Sequence, residues 1–330
     1  MLNVFLTVDT EVWPFSAGWP VTPLSPDKSG FSGEVDTYIY GRTAQGDYGL
    51  PFQMEILNRY GLKATFFLEA LFADRIGPDY LKEVVHLIQD NSHEVQLHLH
   101  TEWLREISDP SLPLQFRQFI HQFTPDEQTA LINKGIQNLH AAGARQIHAF
   151  RAGGYGASQD TLKALERNGL IYDTSYNACY LDSGCEIHFP RILLQPEKIH
   201  GIWEFPVSFF QDYPGHYRHT QLCACSFGEM RAALLHAWQA EWFSFVVVLH
   251  GSELVRNGKG VVSSAPDRIN IKRFEQLCAF LAANPDKFRT TVFSELDTST
   301  IPSGCSEKVL HSPPFRTAWR FVEQGMGRLM

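Results

Sequence analysis

Short apolar runs alternate with helix-patterned segments along almost the whole chain, and this alternation limits the fold more than any other feature. Runs of strand length lie at residues 3–8, 63–68, 94–100, 146–150, 170–173, 202–207, 244–250 and 289–293. Each is short and bounded well enough to read as a buried strand. Between most of them, residues 50–59, 80–89, 126–141, 159–167, 227–240 and 271–283 carry apolar side chains at three- and four-residue spacing. Thr124-Pro125-Asp126 reads as a helix start and Asn168-Gly169 as a stop. Strand and helix in repeated alternation imply parallel strands covered by helices, in a barrel or a doubly wound sheet. The 330 residues, 44% of them hydrophobic, suffice for one large core. With no internal repeat or low-complexity linker, residues 1–296 are expected to form one α/β domain. Residues 297–330 are expected to pack on it, or on a partner subunit, as a tail.

A net charge of -8 and a pI near 5.9 leave no basic cluster for a nucleic-acid backbone, so a neutral or sugar-like ligand fits better. The start, MLNVFLTVDTEVW, has no basic flank and reaches acids at Asp9 and Glu11, unlike a secretory signal. The longest later apolar run, residues 243–249, is far shorter than a membrane span. A cytoplasmic protein is therefore expected, with Cys179, Cys185, Cys223, Cys225, Cys278 and Cys305 as reduced thiols. Residues 315–330 mix arginines with apolar side chains, a pattern suited to touching a membrane that carries a lipid-linked substrate. Gly325 and Gly327 weaken that segment as a helix, which favours a packed tail.

Four motifs at strand ends carry chemistry. Asp9 and Glu11 close the first run two residues apart, on one side of a strand. Carboxylates so placed can divide the work of metal ligand and proton acceptor. His98 and His100 have the same spacing and are followed by Glu102, so that two imidazoles and a carboxylate can converge on an ion. His93 is out of phase and is read as structural. Next comes Phe150-Arg151-Ala152-Gly153-Gly154-Tyr155-Gly156, where glycines allow backbone amides to approach a ligand and Arg151 can orient a carboxylate. Last, the apolar run 245–249 delivers His250, an imidazole suited to giving a proton to a leaving amine. Between the first two motifs, residues 14–49 form a long loop whose aromatics, with Trp13 beside them, suit a lid that stacks on sugars.

In this order the four motifs resemble those of the polysaccharide deacetylases of carbohydrate esterase family four, the NodB-homology group. Asn58 to Phe67, Ser92 to Val95 and Glu204 to Ser208 extend the likeness over roughly residues 2 to 295. The resemblance implies a distorted (β/α)7 barrel and metal-dependent hydrolysis of an N-acetyl group from an amino sugar. It implies Asp9 as base, His98 as metal ligand, Arg151 as the partner of the base, His250 as acid and Asp173 near the acid that orients it. Gly154, Tyr155 and Trp103 would contact substrate. The family's adjacent aspartates are here Asp9 and Thr10, and its second histidine position is Glu102, so the ion falls to Glu11, His98 and either His100 or Glu102. Zinc is the first choice for such donors, with cobalt or nickel acceptable. HLHTEW and FRAGGYG are similar to the WalW-like branch, associated with bacterial lipopolysaccharide or capsule sugars, which implies a carbohydrate, nucleotide-sugar or lipid-linked substrate. A homo-oligomer is left open. Two other readings stand beside this one: an allantoinase-like cyclic amidase, because His-x-His is also its metal signature, and a metal-free carbohydrate-binding pseudoenzyme.

Overall fold

The computed structural model describes residues 1–15, 18–20, 24, 31–113, 115–256, 264–303 and 308–329. Its centre is a curled parallel sheet. In chain order the strands are β1 (Leu2–Thr10), β2 (Thr65–Glu69), β3 (Glu94–Leu99), β4 (Ala149–Ala152), β5 (Tyr172–Asp173), β6 (Ile202–Glu204) and β7 (Ser244–His250). Across the sheet they run β7-β1-β2-β3-β4-β5-β6, every neighbour parallel. Residues 288–290 join the start of β1, and 197–199 flank β6 antiparallel.

Among the described residues no regular ladder joins β6 to β7. The N–H of Ser208 reaches the carbonyl of Val246 at 3.3 Å, and that of Val248 reaches Thr220 at 2.9 Å. The barrel is thus distorted, as the motif resemblance implies, and its closure is borrowed from the connection after β6.

The helices α1 (Leu50–Arg59), α2 (Pro78–Asp90), α3 (Pro125–Ala141), α4 (Gln159–Arg167), α5 (Phe227–Gln239) and α6 (Arg268–Ala282) fall where the apolar spacing predicts them. In α2 the stripe Leu81, Val84, Val85 and Ile88 faces the sheet. Thr124 and Ser226 accept from the backbone of Glu127 and Glu229, whose carboxylates return to the cap N–H, and so fix where α3 and α5 begin. β4 starts later than its apolar run because Oε1 of Gln96 accepts the N–H groups of His148 and Ala149, both at 2.8 Å, in place of ladder carbonyls.

Three features depart from the sequence reading, the first being that the stretch 14–49, read as a loop, holds a helix at Ser32–Tyr38 and a short hairpin at 42–43 and 46–47. Residues 209–213, 216–219 and 310–311 build a small second sheet beside the barrel. The final segment, expected to be weakened as a helix by its glycines, is the helix α7 (Pro314–Leu329). Gly325 is exposed, and the cost of a glycine there, about 1 kcal/mol, is outweighed by the anchoring of earlier α7 residues. Thr317 and Arg320 are buried against Asp212 and Glu229.

Candidate active site

Along β1 the inward side changes from apolar to polar. Phe5 belongs to the inner apolar cluster with Phe67, Phe205 and Phe293, while Thr7 and Asp9 follow on the same side toward the strand's carboxyl end. Arg151 of β4 reaches both. Its Nη1 donates to Oγ1 of Thr7 at 2.9 Å and to Oδ1 of Asp9 at 2.7 Å, and its Nε donates to the carbonyl of Thr174 at 3.2 Å. The Phe67 ring centre lies 4.6 Å from the guanidinium carbon. A buried ion pair is tolerable when its remaining donors are satisfied, and these are.

Register gathers the other motifs around this pair. Asp9 lies level with His250, and His98 lies level with both Glu69 and Arg151. Oε1 of Glu11 sits 3.1 Å from Nε2 of His98 and 2.9 Å from Nε2 of His100. The donor atoms of Glu11, His98 and His100 all lie within 4.8 Å of one another. The outward atoms are occupied: Nδ1 of His98 donates to the carbonyl of Arg151 at 2.8 Å, and Nδ1 of His100 meets Oε2 of Glu102 at 3.2 Å. Nε1 of Trp13 donates to the second Glu11 oxygen at 2.8 Å. Imidazoles turned by carbonyl and carboxylate partners, with free nitrogens facing a carboxylate, are what a metal site requires.

The electrostatics agree with that fit. Burial alone would raise the Glu11 carboxyl, yet His100, His98 and His250 hold it well below the usual range. Burial would lower His100, yet Glu11 and Glu102 raise it well above an ordinary imidazole. A carboxylate facing a protonated ring is a charge pattern that a bound cation would equally satisfy. Beneath lies Glu69, whose oxygens accept the N–H groups of Leu71 at 2.9 Å and Phe72 at 3.0 Å, and which burial pushes up to about 7.

His250 is gripped from several sides. Its N–H donates to Oε2 of Glu253 at 2.9 Å and its carbonyl accepts from Gln53 at 3.0 Å. Its Nδ1 lies 3.2 Å from the Gln221 amide nitrogen, so in the neutral ring Nδ1 accepts and the proton sits on Nε2, and the acid form is the doubly protonated ring. Burial lowers its pKa, but Glu11, Asp9 and Glu253 outweigh burial and raise it. Gly153 has a local reason to be glycine. A Cβ there would stand 2.6 Å from Nδ1 of His100. Gly154 and Tyr155 follow at φ 57° and 60°, a strained turn for tyrosine.

Several residues fall elsewhere than the sequence suggests. Glu102 does not converge with the other donors but backs His100. Asp173 does not reach toward His250; it accepts from Ser175 at 2.7 Å and faces Glu204 across the β5–β6 register. Burial raises both carboxyls, that of Glu204 well above the usual carboxylate range. Trp103 is 0% exposed, packed against Trp19, Phe31 and Phe72 in the core, and cannot touch a substrate there. In the loop after β1, residues 16–17, 21–23 and 25–30 lie outside the described residues, as does Cys305. Among the loop's described aromatics, Trp19 packs on Trp103 and its indole donates to Glu106 at 3.2 Å.

Trp13, read as part of a sugar-stacking lid, holds Glu11, and Glu69, Gln221 and Glu253 enter the site although the sequence motifs do not include them. Of these last three only Glu253 carries a sequence signal, three residues after His250.

Residues 51–172 match the model of the family described as polysaccharide deacetylase. That segment is similar to a polysaccharide deacetylase and makes up about a third of the chain. The matched segment holds His98, His100 and Arg151, while Asp9, Glu11 and His250 lie outside it, at the ends of β1 and β7. Over 199 residues the chain is 26% identical to the peptidoglycan deacetylase-like protein FGM2 of Gibberella zeae, covering 56% of this chain and 52% of that one. The chain thus spans about half the length of that curated relative. A Mycobacterium smegmatis structure provisionally assigned as a polysaccharide deacetylase superposes with a TM-score of 0.53 at 16% identity, over 93% of this chain and 94% of that one. It is similar in fold, and the α/β architecture with a curled half-barrel sheet is shared.

Proposed function

We propose that the protein hydrolyses the N-acetyl group of an amino sugar in polysaccharide, lipopolysaccharide or capsule metabolism, with a divalent ion held by Glu11, His98 and His100. One observation carries this reading: three metal-type donors converge beside a buried Asp9–Arg151 pair, at the strand ends where His250 also stands. Zinc suits two imidazoles and a carboxylate, and cobalt or nickel are acceptable. When bound, the ion supplies Lewis-acid polarisation of the acetamide carbonyl.

The chain's own groups do the rest. Asp9, aimed by Nη1 of Arg151, accepts the proton of the attacking water. Backbone N–H groups of the Gly153–Tyr155 turn, with exposed Gly154 at its tip, are placed for the developing oxyanion. Nε2 of His250 protonates the departing amine. Trp13, Glu102 and the carbonyl of Arg151 orient the donors. The HLHTEW and FRAGGYG patterns favour the WalW-like branch. Unpaired thiols at all the described cysteines fit the cytoplasmic site expected for a nucleotide-sugar or lipid-linked substrate.

Purified protein incubated with N-acetylated oligosaccharides, nucleotide sugars and glycan polymers should release acetate and an equal amount of free amine. His250→Ala should abolish release while leaving the melting temperature and metal content unchanged. Full activity in that variant would refute His250 as the acid. Sugar binding without any release, in protein that takes up no zinc, would favour a binding protein.

A further inference from the structure

The last helix, α7, has its polarity inverted. Its inner side is polar and charged. Thr317 donates to Oε1 of Glu229 at 3.1 Å, buried Arg320 meets Oδ2 of Asp212 at 3.0 Å, and Glu323 pairs with Arg273 at 2.9 Å. Its outer side is apolar: Phe315 is 69% exposed, Trp319 55%, Phe321 58% and Val322 50%. A helix that merely covered a core would carry the opposite pattern. Rolling the helix to hide these rings would break the buried contacts of Arg320 with Asp212 and Glu229 and of Thr317 with Glu229. An apolar face held outward in this way marks a contact surface.

The charge around the face identifies its partner. Phe315 and Trp319 border a groove shared with Phe227 and with two arginines, Arg231 and Arg316, while the Trp319 indole donates to Glu323, whose carboxylate is paired with Arg273. In a chain of net charge -8 this is a local basic, aromatic surface. Arginines at the level of phosphates with tryptophan and phenylalanine at the hydrocarbon boundary form the pattern of a helix lying on an anionic bilayer. No helix among the described residues is long and apolar enough to cross a membrane, so the contact lies on the surface. We propose that α7 docks the protein on anionic lipid bilayers, through Phe315, Trp319, Phe321 and Val322 with Arg231 and Arg316 at their edge. This stands apart from the catalytic reading and survives or fails without it.

The test is flotation of the full chain with vesicles of phosphatidylglycerol and phosphatidylcholine, against vesicles of phosphatidylcholine alone. Wild type should float with the anionic vesicles only, and rising salt should release it. The Phe315→Ser, Trp319→Ser double variant, which alters only exposed side chains, should bind at least about tenfold more weakly, and Arg231→Gln with Arg316→Gln about tenfold more weakly. In folded wild type, brominated lipids should quench fluorescence that Trp319→Phe removes. Failure of wild type to float, or equal flotation of the serine variant, would overturn the proposal. So would a dimer in sedimentation velocity that the serine variant abolishes, because the face would then belong to a second copy.

Discussion

Asp9 and Arg151 act as a unit, because the guanidinium that fixes the carboxylate also belongs to the residue whose carbonyl turns His98. Asp9→Asn keeps the shape and removes the base, so turnover should fall by about a hundredfold to ten-thousandfold with metal content unchanged. Trp13→Phe and Glu102→Gln should instead weaken metal binding by about tenfold to a hundredfold, measured by competition with a chromophoric chelator. Gly153→Ala should produce the same defect by pushing the His100 ring aside, while far-UV circular dichroism stays native. His93 tests the other face of burial. Neither ring nitrogen has a hydrogen-bond partner, and burial lowers its pKa to about 4. Between an ordinary value of about 6.5 and 4 the unfolded chain takes a proton that the native state refuses. Stability is therefore full above that window and falls as pH drops through it, by about 3 kcal/mol. His93→Leu should flatten this limb in urea titrations run at successive pH values. The pairing of Asp9 with Glu11, and of His98 with His100, was legible because two-residue spacing on a strand fixes a side. Gln221 was not, because it comes from an irregular connection whose path depends on how the barrel closes.

At the scale of elements, α7 and the small second sheet share an ionic knot. Asp212, wholly buried, meets His216 at 2.6 Å, Arg218 at 2.7 Å and Arg320 at 3.0 Å. Asp212→Ala would leave cations facing one another and should cost about 3–5 kcal/mol, seen as a lower denaturant midpoint. The strand and helix spacing was readable for the barrel because each element buries a stripe of its own. The residue pattern of α7 misled for the reverse reason. Its buried side is polar, so apolar periodicity points away from the protein, and its glycines weigh more in a sequence reading than in a helix held by Arg320 and Thr317. The strands at 209–213 and 216–219 escaped notice because their alternation includes Asp212 and Arg218, whose burial is understood only once Arg320 is beside them. Asp173 was misplaced by analogy of position alone; the short β5 points it at Glu204.

Across the whole molecule, the curl of the sheet brings Asp9 and His250 level with each other although nearly the full chain separates them. The candidate site therefore depends on both ends of the barrel meeting, and an ion held there should tie them. Zinc at about a hundred times its dissociation constant should stabilise the fold by about 2.7 kcal/mol, read as a rise in melting temperature that a chelator reverses and Glu11→Gln loses. The most direct test of the account is acetate release from N-acetylated sugar by one preparation followed through chelation and reloading. The account predicts that release stops on chelation, returns with zinc, and stays absent in Glu11→Gln at every metal concentration that restores wild type. Undiminished release by the chelated enzyme, or full activity in Glu11→Gln, would contradict it.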